Sequence, residues 1–317
     1  MQKTIRNLFV TFSVFSSLSA LSQDDLLSLV DDKKDEGPKK VYATFKTVRI
    51  GNAQTIETVK KHHLDYRISH RFGNVYNSDL KNPLNESFQS WLGFDAASDI
   101  RMSFDYGVTD NLTLGIGRSR NKLIDGNMKW KILQQKTDFS MPVSVALFSS
   151  VGYFHSHPDD FYGIASSDRD FKTSELHRFN FFYQVIIASK LNDMFSLEIL
   201  PGYMYRNYIR EKINSNNKAA DENGFANIGF GGRIRLTKRF SIIGDYFYNF
   251  SKYYANNTNA STPLSLGVEI ETGGHVFSLF YTNASYLVEN NFMPLTTDKW
   301  SKGQVKFGFC ISRTFAL

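Results

Sequence analysis

The side chains of this chain that could carry chemistry are few and thinly spread. A hydrolase would want a serine and a histidine within reach of each other, with a third group orienting the imidazole. His70, His177 and His275 fall on or near outward registers, yet no serine is tied to any of them by spacing. The run His155-Ser156-His157-Pro158-Asp159-Asp160 has donors of the kind a transition metal takes, but two histidines and two acids in a polar stretch also describe an ordinary solvated loop. His62-His63 reads the same way. Gly115, Gly117, Gly229, Gly231 and Gly267 resemble nucleotide-binding loops only in composition; within strands they permit curvature or leave space for a large neighbour. These patterns specify no catalytic residue, no metal site and no cofactor.

A second set of residues is more orderly. Asp65, Arg67, Arg101, Asp105, Glu198, Arg233, Arg235, Asp245, Glu269 and Glu271 stand at alternate positions opposite apolar side chains. Strand geometry would gather them on one face. If that face lines an enclosed space, two chemistries follow. The charges pair and fill the interior, or they border a pore for a small polar or charged solute, with Arg67, Arg101, Arg233 and Arg235 opposite Asp245, Glu269 and Glu271.

The elements that must position them are strands. The 317 residues are 42% hydrophobic and 15% aromatic, with 28 Phe and 16 Tyr against 7 Pro, a balance that suits a pleated surface. Dyad alternation is plain in 64–72, 100–108, 195–205, 264–270 and 305–315, and about a dozen such segments follow residue 62. Connections rich in turn formers, at 109–111, 135–138, 192–193, 237–239 and 273–274, alternate with long polar stretches at 73–98, 119–126, 155–174, 208–223, 251–262 and 284–302. Short turns on one side and long loops on the other mark an outer-membrane barrel.

The fold expected is therefore all-β: a transmembrane antiparallel up-and-down barrel of about 12 strands, or 14 if the N-terminal hairpin joins the wall. A soluble exported sandwich or adhesin is the alternative, since its sheets also alternate. Against it stands a large apolar face that recurs on strands of roughly ten residues, a bilayer-spanning length. Tyr106, Trp130, Tyr153, Phe179, Phe195, Tyr203, Phe240, Tyr248 and Phe250 near predicted strand ends suit aromatic girdles. Twelve tilted strands enclose a backbone radius of roughly 12 Å, which long side chains would largely fill. An outward charge at Ile116 should cost about 2–4 kcal/mol, whereas Gly267→Ser on the lumen face should be mild.

Residues 1–22 read as a secretory signal, with Lys3 and Arg6 before an apolar run and Ala20-Leu21-Ser22 as the cleavage site. The net charge of +6 falls to +4 once those two cations leave, too little and too diffuse for nucleic acid. Residues 23–40 form a charged periplasmic arm able to meet a periplasmic protein. Residues 41–61 form a hairpin around Gly51-Asn52, two short strands that plug or cap the barrel. Residues 62–317 are expected to form the wall, with both termini periplasmic.

The stretches 64–73, 106–119 and 44–50 resemble a domain-of-unknown-function family of outer-membrane β-barrel proteins from Bacteroidota-type bacteria. The resemblance implies location and fold, and the family brings no activity with it. The expected function is a narrow channel or transporter for small polar solutes, or a scaffold, in contact with outer-membrane lipid. An outer-membrane enzyme acting on lipids is the rival reading.

Overall fold

The computed structural model describes residues 38–120, 122–155, 174–209 and 212–317. The signal segment and nearly all of the arm lie outside them, as do residues 156–160 of the histidine-rich run. Among the described residues, twelve strands of alternating polarity each pair antiparallel with their sequence neighbours, and the last returns to the first. They are β3 (His63–Asn74), β4 (Ala97–Thr109), β5 (Leu112–Ser119), β6 (Leu123–Leu133), β7 (Ser144–Phe154), β8 (Phe179–Lys190), β9 (Phe195–Arg206), β10 (Gly224–Arg235), β11 (Phe240–Phe250), β12 (Leu264–Thr272), β13 (His275–Thr282) and β14 (Lys306–Ala316). Pairs such as Ile311 with Ile68 and Cys310 with Ser69 join β14 to β3 and close the cylinder. Closure satisfies the backbone polar groups that an open edge would leave bare in hydrocarbon.

Two short strands, β1 (Arg49–Ile50) and β2 (Ala53–Gln54), pair only with each other. The tight Gly51-Asn52 turn forms where expected, but the paired segments are far shorter than 41–50 and 55–61. Beyond that pairing the segment makes scattered backbone bonds, Thr55 to the Val48 carbonyl at 3.0 Å and Val41 to the Gln135 carbonyl at 2.8 Å among them, and side chains of the wall take the carbonyls of Val48, Thr55 and Glu57.

The alternation of connections holds with one exception and one shift. The near rim carries short links at 110–111, 191–194, 236–239 and 273–274, and a longer one at 134–143; of the described residues the far rim carries 75–96, 155, 174–178, 207–209, 212–223, 251–263 and 283–305. The stretch 119–126, read as a long loop, is a short link at 120–122 with β6 starting at Leu123. Its polarity misled because Asp125 faces inward, where a charge has a partner.

Outward registers carry the apolar face: Met102, Phe104, Leu114, Ile116, Leu197, Ile199, Ile242 and Leu266 are all exposed. Trp130, Phe195, Tyr203, Tyr248 and Phe250 are exposed rings on the same surface. The lumen face of Gly267 is less accommodating than expected. A Cβ there would collide with the Leu279 carbonyl and with Phe280, so Gly267→Ser disturbs packing rather than being mild.

Candidate functional site

The bore of the barrel is occupied from both ends. From the near rim the chain before β3 enters as the β1–β2 hairpin. Gly51 adopts φ +44°, and a Cβ on it would strike Asp245 and Ser265, so the tip needs a residue without a side chain. Asn52 beside it is fully buried and held from three strands. Its amide N–H and Nδ2 donate to the two oxygens of Asp245 at 2.8 and 2.9 Å, Nδ2 lies 3.3 Å from Thr282 Oγ1, and its Oδ1 accepts from Arg71 Nη2 at 2.5 Å. Lys129 of β6 donates to the carbonyls of Val48, Thr55 and Glu57 at 2.8, 2.9 and 3.2 Å. Thr47 Oγ1 lies 3.1 Å from Glu269 Oε1.

From the far rim the connection 283–305 folds inward and forms a short helix, α2 (Glu289–Leu295), whose residues Glu289 to Met293 are buried. Asn290 accepts from Ser150 Oγ at 2.8 Å and donates to Asn180 Oδ1 at 2.9 Å. Asn249 donates to the Met293 carbonyl at 2.8 Å, and Phe292 packs on Phe247 with centroids 5.5 Å apart.

The two inserts meet. Arg49 of the hairpin donates to the Leu287 carbonyl at 2.6 Å and pairs with Glu289; Gln54 donates to the same carboxylate at 3.2 Å. Arg71, fully buried, donates to Asn52 of one insert and to the Ala284 and Tyr286 carbonyls of the other. The cavity beside this contact, lined by Arg49, Gln54, Arg67, Arg101, Asp105 and Lys129 among others, is only about 20 Å³, room for about one water.

The ten residues singled out in the sequence lie on inward registers, but not as two opposed charged walls. Arg67 pairs with Asp65 at 3.4 Å. Arg101 makes a two-pronged bond to Asp125, at 2.9 and 2.5 Å, and Asp105 accepts from Asn127 at 3.3 Å. Arg233 faces Glu269 at 3.4 Å, and Glu271 pairs with Lys46 of the hairpin segment at 2.5 Å. Glu198 is buried, Asp245 grips the hairpin tip, and Arg235 is half-buried at the near rim. The cations are thus interleaved with acids, as charges withdrawn from water must be.

Residues 45–315 match the family described as Membrane bound beta barrel domain (DUF5777). The chain belongs to this family. The match begins inside the hairpin segment, so the insert and the wall of the DUF5777 barrel are covered together. Solved structures similar to it include the NanC porin (TM-score 0.46, 9% identity, 80% of this chain and 100% of that one). The KdgM porin in complex with disordered oligogalacturonate gives TM-score 0.43 at 8% identity, covering 80% and 99%. The outer membrane protein Omp33 of Acinetobacter baumannii gives 0.38 at 8% identity, covering 83% and 100%. No curated protein matches the chain.

The DUF5777 barrel also buries polar groups outside those ten: Arg49, Asn52, Asp99, Asp125, Glu289 and Asn290. Asp125 could have been found by extending the dyad of β6 backward; Glu289 and Asn290 sit in a polar connection and carry no periodic signal. The lumen is not polar throughout either. Phe45, Ile50, Ala53 and Ile56 of the hairpin segment form one buried cluster with Ala146, Phe148, Phe182, Ile186, Leu200 and Phe247 of the wall. The single cysteine, Cys310, is buried in the bore, with Arg67 Nη1 and Ser69 Oγ each 3.4 Å from its sulfur.

Of the histidines considered for catalysis, His70 faces outward, stacked on Phe309 at 5.5 Å and tilted against Phe72 at 4.1 Å. His177 accepts the Ser174 amide at 2.9 Å in a turn before β8, and His275 opens β13. Among the described residues no group of three or more His, Cys, Asp and Glu is placed to hold a metal.

Proposed function

We propose that this membrane barrel is a channel for small polar solutes in the outer membrane, held shut by its two inserts, with both chain ends on the periplasmic side and the N-terminal arm free to meet a periplasmic protein there. The observation that carries the reading is how the hairpin is held. It shares no ladder with the wall, and much of its grip is side-chain bonding to Asp245, Lys129, Arg71 and Glu289. Such contacts can be exchanged for water without opening the sheet, whereas a strand of the wall could not leave without baring an edge to lipid.

Planar-bilayer conductance tests this. The full chain should pass little steady current. Arg49→Ala combined with Glu289→Ala removes the buried pair joining the inserts, and should give frequent open events. Folded variant protein silent at every voltage would defeat the channel reading. The apolar cluster joining the hairpin to β7 and β8 favours a second reading, a permanently filled scaffold, and that silence is what it expects. We read the barrel as non-enzymatic. Turnover of phospholipid or lipid A by the purified protein, lost on changing His70, His177 or His275, would contradict this.

A further inference from the structure

The far-rim connection 75–96 carries a short helix, α1 (Pro83–Gln89), opened by Pro83 in its first turn. Leu84 and Phe88 lie one turn apart on a single face, with Leu80 before the helix and Trp91 and Leu92 after it. All five are exposed, Leu84, Phe88 and Trp91 to about 70%. Ser87, which flanks this face, is the buried residue of the helix. Solvated loops do not ordinarily gather large apolar side chains into one stripe.

A second observation shows where the stripe lies. Trp91, Leu92 and Gly93 have φ of +47°, +55° and +84°, three successive left-handed residues of which two are bulky. They reverse the chain, and Gly93 accepts the Gly73 amide at 2.9 Å. Phe94 is thereby laid on the outside of the wall, 4.8 Å from Phe72 and 5.6 Å from Phe307, with Trp91 5.7 Å from Phe94. Phe72 and Phe307 stand on outward registers of β3 and β14, the strands that close the cylinder, and Tyr281 of β13 continues the stack at 5.7 Å. Register shifts fall at the same place, between Arg71 and Phe72 and between Lys306 and Gly308.

We propose that α1 and the turn after it are embedded in lipid at the boundary between headgroups and acyl chains, as a clasp over the closing seam. Through Trp91 and Phe94 the segment joins the lipid-facing belt at Phe72 and Phe307, and lipid is already the neighbour of that belt. Lys81, Asn85, Glu86 and Gln89 supply the polar groups that such a segment turns toward water. Tryptophan is favoured at this depth, since its ring is apolar and its N–H polar. The inference rests on the barrel being in a membrane and is independent of whether it conducts.

The chain has three tryptophans, so Trp130→Phe with Trp300→Phe leaves Trp91 as sole reporter. The full chain is refolded into phosphatidylcholine vesicles with bromine at defined depths in both leaflets, and its fold is checked by heat-modifiable migration. Trp91 should lose most of its emission, more to bromines near the headgroup than to those near the chain ends. Leu84→Asp with Phe88→Asp should restore emission and admit an aqueous quencher. Emission indifferent to bromine and open to aqueous quencher in the unmodified segment overturns the proposal. So does protection from both quenchers that grows with protein-to-lipid ratio, which would make a second copy of the chain the cover. If the double aspartate variant fails to fold, the single-tryptophan measurement alone decides.

Discussion

Two adjoining arcs of the bore treat the hairpin differently. On β3 to β6 the inward residues include Asp65, Arg67, Arg71, Asp99, Arg101, Asp105, Asp125 and Lys129, and two of them hold it by direction: Lys129 on three carbonyls and Arg71 on Asn52. On β7 to β9 the inward set includes Ala146, Phe148, Phe182, Ile186, Leu200 and Met204, which form one apolar cluster with Phe45, Ile50, Ala53 and Ile56 of the hairpin segment and with Phe292 and Met293 of the other insert. Burial of apolar surface is not directional and tolerates small slips, whereas a buried bond lost without replacement costs the desolvation of both partners. The first arc fixes where the hairpin sits; the second supplies much of its adhesion.

The contrast can be broken at several points. Phe182→Ala in the apolar arc should lower stability by about 3–5 kcal/mol through lost transfer energy and a residual cavity, read from urea unfolding of the refolded barrel. In the charged arc, Arg101→Met should cost a similar 3–5 kcal/mol because Asp125 is left buried and unpaired. Here the arcs part company. Adding Asp125→Leu should return most of that loss, since an apolar pair can replace a buried ion pair, while no polar second change rescues Phe182→Ala. A double variant as unstable as Arg101→Met alone would show the pair to be needed for more than charge balance. The smallest effect is expected at the near rim, where Arg235 is half-buried. Arg235→Ala, on β10 outside both arcs, should stay within about 0.5 kcal/mol, and a larger change would show that directional bonding is not confined to β3 to β6.

The wall was legible because each strand answers to a local rule. The outward face of β4, Ile100, Met102, Phe104, Tyr106 and Val108, must be apolar wherever the strand meets lipid, so its period of two survives without knowledge of any partner. The inward face obeys no such rule. In β8, Phe181 and Phe182 are neighbours, as are Ile186 and Ile187, and both faces are apolar because one meets lipid and the other meets the apolar side chains of the two inserts. Choosing the more polar face as the lumen therefore captured the charged arc and missed the apolar one. Glu289 was out of reach for the same reason, since its partner Arg49 lies 240 positions earlier and nothing near it in the chain signals burial. Gly51-Asn52 announced a turn, but the strands around it are short because the wall's side chains, not a longer ladder, receive the hairpin's polar groups.

Cys310 gives the molecule a built-in clock. As the chain's sole thiol, set in the bore beside Arg67 and bordering the space next to Arg49, it is shielded from a soluble maleimide for as long as the bore stays filled. The pace at which such a reagent attaches to the otherwise unaltered protein would report how often the filling is displaced.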